Sequence, residues 1–206
     1  MKFVRTFMFI CSLSISIPVF ATVGGPESIE VLGYEAKEQK VYILRHYEDG
    51  RGRLPQLYYY QFKNNKNPSK IIQVNSLYIH PKTKKIDYDQ DDTQFNQALN
   101  NIKKRLQPLQ PSNMQNRISY SQKAIKQVAT WYDPEQTQAQ IHYTFTVSNS
   151  KFQSKVQKAI AYDTPLKVVQ QFLIPKQNKM LVTVEYLGIP FETGYNIEDP
   201  VLLQKK

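Results

Sequence analysis

The sequence predicts an α+β protein that is predominantly antiparallel β, with two strand meanders forming packed sheets and one amphipathic helix against them. Three observations carry this. Short runs rich in β-branched and aromatic residues recur at close spacing, turn-forming clusters separate them, and one segment alone changes from a two-residue to a 3.6-residue period. Strands this close in sequence pair as antiparallel neighbours, because a parallel pair needs a long crossover.

The first meander covers residues 28–89. Ser28–Tyr34 opens it, and a charged turn through Lys37, Glu38 and Gln39 leads into Lys40–Tyr47. The loop Glu48–Arg53 carries Gly50 and Gly52 for positive-φ positions, and Gln56–Phe62 follows it. Beyond a polar break at 63–68, Ile71–Ile79 and Lys85–Asp89 read as the arms of a hairpin that turns at Pro81–Lys84.

The helix is expected over residues 92–106, where Phe95, Ala98, Leu99, Ile102 and Leu106 form one stripe and Gln97, Asn100, Asn101 and Lys104 lie opposite. Asp91 is placed to cap its first turn, with Gln94 as the reciprocal partner of a capping box. Lys103, Lys104 and Arg105 complement the dipole in the last turn. The connector 107–113 cannot continue the helix, because Pro108 and Pro111 interrupt it.

The second meander covers residues 117–190. In Gln140–Val147, Ile141, Tyr143, Phe145 and Val147 share one face and Gln140, His142, Thr144 and Thr146 the other. Val156–Tyr162, Val168–Ile174 and Met180–Leu187 complete it, the last two joined through Pro175–Asn178. Residues 191–206 read as a C-terminal tail. Val31-Leu32-Gly33-Tyr34 faintly echoes Tyr186-Leu187-Gly188-Ile189, too short a match to make a repeat.

The N-terminus reads as an export leader. Lys2 and Arg5 precede an apolar run, Phe7–Val19, which is too short to span roughly 30 Å of hydrocarbon and ends at Pro18 and the cleavage-like Val19-Phe20-Ala21. Cleavage after Ala21 is expected, making 1–21 a signal peptide and 22–206 a single β-rich domain. Cys11, the one cysteine, leaves with the leader, so stability must come from a core rather than disulfides. A periplasmic or secreted destination follows, with no transmembrane segment after the leader.

The net charge of +10 falls to +8 when Lys2 and Arg5 are removed. Outside the cytoplasm that balance points to an anionic envelope component or an acidic protein as partner, and to no nucleic acid, for which no fingerprint is present. Scattered lysines also serve solubility alone.

No motif for catalysis stands out. The acidic run contains Asp87, Asp89 and Asp91, hard oxygen donors at alternate positions that make a weak calcium candidate, but Asp92 replaces the turn glycine of a calcium loop and Ala98 its glutamate. Capping explains Asp91 without a metal. His46, His80 and His142 share no ligand spacing, so no metal and no cofactor is expected. Tyr58 and Tyr60 in one strand, with Trp131 and Tyr132 elsewhere, are candidate binding residues as an aromatic platform, or else rings that fill a lean core. The reading is a non-enzymatic, soluble binding protein of the cell envelope or secreted fraction. The alternative is an envelope-polymer hydrolase using a carboxylate pair drawn from Glu185, Glu192 and Glu198.

Overall fold

The computed structural model describes residues 24–162 and 165–206, and the expected leader lies outside them. Within them the order is β1 (Glu27–Glu35), β2 (Lys40–Tyr47), β3 (Gln56–Gln61), β4 (Ile71–Gln73), α1 (Asp92–Lys103), β5 (Gln110–Pro111), β6 (Arg117–Ala129), β7 (Thr137–Ser148), β8 (Phe152–Ser154), β9 (Gln157–Ala161), β10 (Lys167–Ile174), β11 (Lys179–Ile189) and β12 (Tyr195–Lys205). Among the described residues the chain is mostly β with one α-helix, as expected.

These strands belong to one curled, mixed sheet rather than two separate ones. Its path is β4-β3-β2-β1-β12-β11-β10-β5, and β8 joins it to β7, β6 and β9 by pairing with both β12 and β7. β1 meets β12 in parallel through a single pair, Glu27↔Ile197, while the other strand pairs are antiparallel. A sheet of this size does not stay flat, since strand twist accumulates and folds it back on itself.

The curl makes β11 an inner strand. Met180, Leu181, Val182, Thr183 and Val184 are all buried in succession, the signature of a strand covered on both faces. Met180, Val182, Val184 and Tyr186 pack with Ile141, Tyr143, Phe145 and Val147 of β7. Leu181 and Leu202 turn the other way and meet Ile29, Val41, Ile43 and Tyr60. On the outer side of β2 and β3, Tyr42, Leu44 and Leu57 pack with Tyr78 and with Phe95 and Leu99 of α1. The Asp91 carboxylate caps that helix, accepting from the Thr93 N–H at 3.0 Å.

Several sequence expectations are corrected. The supposed tail 191–206 holds β12, which lies between β1 and β11; Glu198-Asp199-Pro200 interrupts its apolar run and hides the strand. The expected strand 71–79 ends at Gln73, and a 3-10 turn at Ser76–Tyr78 sends Tyr78 into the core, where its hydroxyl donates to the Pro55 carbonyl and accepts from the Leu57 N–H. Of the hairpin arm 85–89 a single bridge remains, Ile79↔Ile86. The helix stops at Lys103, with Arg105 and Leu106 closing it through bonds to the carbonyls three residues back. The connector 107–113 contributes the short β5, which pairs with β10. β6 was not legible, because nearly all its side chains are exposed and no alternation marks it.

The echoed glycines share a job. Register shifts fall between Val31 and Gly33 and between Leu187 and Ile189, so each Leu-Gly marks a β-bulge in its own strand.

Candidate functional site

Two clefts on this framework differ in charge. The first, about 420 Å³, is lined by Arg45, Tyr47, Tyr58, Phe145, Lys158 and Asp199 among others. β1 and β2 pair Ile29 with Arg45, so Glu27, two residues earlier on the same face, reaches the Arg45 guanidinium at 2.7 Å. The other end of the guanidinium meets Asp199 of β12 at 2.6 Å, and the Tyr186 hydroxyl donates to the same carboxylate. Burial alone would pull the guanidinium down; Asp199 and then Glu27 outweigh it and hold Arg45 above its usual range. With two carboxylates around one guanidinium, this group ties β1, β2, β11 and β12 together and has no positive charge to spare for an anion.

The four aromatic candidates take different places. Tyr58 lines the Arg45 cleft, and its hydrogen bond to Tyr47 adds to burial in raising the Tyr47 phenol above its usual range. Tyr60 is a core residue, 3% exposed, whose hydroxyl donates to the Pro200 carbonyl. Trp131 and Tyr132 sit exposed in the β6–β7 loop, where Trp131 also packs edge-on against Phe191.

The carboxylate candidates are engaged. Asp87 accepts from the Asp89 N–H and Asp91 caps α1, and among the described residues no cluster of three or more His, Cys, Asp or Glu is placed to hold a metal. Glu185 and Glu198 stand directly opposite each other on β11 and β12, the approach an acid/base pair would need. Glu185 is paired with Lys167 at 2.7 Å, however. Glu198 is buried and accepts from the Ile29 N–H and the Gln170 amide with its two oxygens. Both carboxylates therefore serve as strand-to-strand ties. Glu192 accepts from the Tyr195 hydroxyl. The histidines are local too: His46 meets Glu30, His80 accepts from the backbone of its own turn, and His142 meets Gln140.

The second cleft is larger, about 690 Å³, and its charged side chains are of one sign. Lys151, Lys176, Lys179, Lys205 and Lys206 line it, and no Asp or Glu does. Three separate segments deliver them. The β10–β11 hairpin closes Ile174 onto Lys179 through a four-residue turn in which Lys176 and Asn178 take positive φ, bringing in Lys176 and Lys179. The β7–β8 turn is built on Asn149, whose side-chain oxygen accepts from the N–H groups of Lys151 and Phe152, each at 2.9 Å. β8 then pairs Phe152 with Lys205, and the Lys206 N–H donates to the Lys151 carbonyl, which sets the end of β12 beside that turn.

None of these five lysines forms a salt bridge among the described residues. Lys206 Nζ donates to the Asn149 carbonyl, and Lys179 Nζ donates to the Gln177 carbonyl above the Phe62 ring, so both are steered by neutral groups. Sequence reasoning read the Pro175–Asn178 turn but missed the site, since residues 151, 176 and 205 meet only through the pairing of β12 with β8 on one side and β11 on the other. The one sequence signal was the excess of lysine. Comparison of the chain with family models, curated proteins and solved structures returned no match.

Proposed function

We propose that this chain is a non-enzymatic, exported binding protein of the cell envelope or secreted fraction, and that its lysine cleft captures an anionic partner. One observation carries the reading: five lysines converge on a concave surface with no Asp or Glu side chain lining it. Like charges held together in a cleft repel one another, and an anion entering it relieves that repulsion as well as gaining attraction. The volume lies within the range of small-molecule sites, so the partner, or the part of it that enters, is small. The Arg45 cleft does not compete for this role, because its guanidinium is already matched.

Calorimetric titration with inorganic tripolyphosphate tests the reading. The purified protein should bind it, and binding should weaken by about tenfold or more when salt is raised well above 0.15 M, where the screening length is about 8 Å. Lys151→Glu with Lys176→Glu should abolish it. Binding indifferent to salt and to both substitutions would overturn the assignment, as would hydrolysis of peptidoglycan by the purified protein. The export half is tested separately, by N-terminal sequencing of protein recovered outside the cytoplasm, expected to begin at Thr22.

A further inference from the structure

We infer that the anion taken by the lysine cleft is an amphiphile, a single apolar chain that ends in a carboxylate or phosphate head. This rests on the proposed anion-binding role and goes beyond it on the composition of the cleft. A site for a simple polyanion needs only cations and hydrogen-bond donors, whereas the lysines here rim an apolar wall made by Met114, Phe152, Leu173, Ile174 and Pro175.

Met114, Leu173 and Pro175 are the half-buried part of that wall, and the buried Phe152 and Ile174 lie behind them. Ile174 belongs to the core between β1–β3 and β10–β12, while Phe152 belongs to the core between β7 and β11. Met114 and Leu173 are only partly buried and pack against that second core from the cleft side. An apolar chain laid on this wall removes more hydrocarbon from water, and its head is held at the mouth by Lys151, Lys176 and Lys205, which have no carboxylate partner in the fold. Charge and apolar surface are both needed to account for the lining, and an anionic amphiphile matches both.

Calorimetry with monomeric dodecyl phosphate, dodecanoate, dodecyl maltoside and tripolyphosphate, each chain-bearing probe below its micelle concentration, tests this. Dodecyl phosphate or dodecanoate should bind about tenfold or more tighter than tripolyphosphate despite carrying less charge, and than dodecyl maltoside, which has the same chain and no charge. Whichever of the two heads binds tighter identifies the head. Lys176→Glu should weaken the charged amphiphiles and Met114→Gln should do so without altering tripolyphosphate binding; amide NMR shifts at 114 and 152 on titration locate the chain even where a substituted protein fails to fold. If tripolyphosphate binds as well as the amphiphiles, the inference falls and anion binding stands. If neither binds, both fall. Binding only to phosphatidylglycerol vesicles, with none to the monomeric probes, would replace a cleft ligand by a membrane surface and overturn the inference.

Discussion

The Arg45 guanidinium of β2 lies 2.6 Å from the Asp199 carboxylate of β12, across 154 residues of chain. Arg45 is largely buried, with 14% of its side chain exposed, and it is shared with Glu27. Removing it strands two carboxylates. Arg45→Ala should therefore lower stability by roughly 2–4 kcal/mol, below the value for a fully buried pair because water still reaches Asp199 and screens it. A urea series checks this; a loss under about 0.5 kcal/mol, the level of an ordinary surface substitution, would show that the triad does not hold the strands together.

Alkaline pH should unfold the protein through its tyrosines. Burial is the leading cause that raises Tyr42, Tyr60, Tyr78 and Tyr186 above their usual range, with Glu35 adding to it at Tyr42 and Asp199 at Tyr60 and Tyr186. The folded state keeps protons that the unfolded chain releases above about pH 10, so stability is full below that value and falls as pH rises toward the folded pKa. Each buried phenol contributes a slope of about 1.4 kcal/mol per pH unit. Urea midpoints at pH 8, 9 and 11 should be level between the first two and drop at the third. Phenolate absorbance should rise together with unfolding, and free titration of all the tyrosines in the folded state near pH 10 would contradict this.

The helix prediction contrasts two of its faces. Leu99 is buried against Tyr78 and Phe95 while Lys104 is exposed at the C-cap, so Leu99→Ala should cost roughly 2–5 kcal/mol and Lys104→Ala less than about 0.5. Equal effects in the same denaturation series would mean that the stripe does not face a core.

Gly33 should be far less replaceable than Gly52. At Gly33 φ is +140°, and a Cβ would come within 2.7 Å of the Gln107 carbonyl oxygen that accepts from the Tyr34 N–H. At Gly52 φ is +68° and nothing lies within 4 Å. Gly33→Ala should therefore destabilise by roughly 2–4 kcal/mol and Gly52→Ala by about 1, read from paired thermal melts. A reversed order would show that the bulge is not held by this contact.

What the sequence revealed tracks how local each cause was. β2 was read to the residue, because turn residues bound it on both sides, and α1 was read from its own stripe and its Asp91 cap. β12 was missed for the opposite reason. Glu198 and Asp199 look like solvent-facing residues until Gln170, the Ile29 N–H, Arg45 and Tyr186 arrive to satisfy them, and those partners lie on distant strands. The lysine cleft was hidden in the same way. Its charges were counted in the sequence, but their gathering depends on β8 lying between β7 and β12. Tyr58 and Tyr60 read either as an aromatic platform or as rings that fill the core; the curl that brings Pro200 over Tyr60 is a long-range event that no window around residue 60 contains.

The place of β12 has a consequence in time. β1 to β4 pair through local contacts, yet Ile29, Val41 and Ile43 pack with Leu202 of β12, so their inner face must wait for a strand far along the chain. Pairings at such sequence separation are slow to form, and an unfinished chain leaves open strand edges exposed while it waits. The sheet therefore closes late, when β12 enters between β1 and β11, and until then the apolar faces of both neighbours stay open.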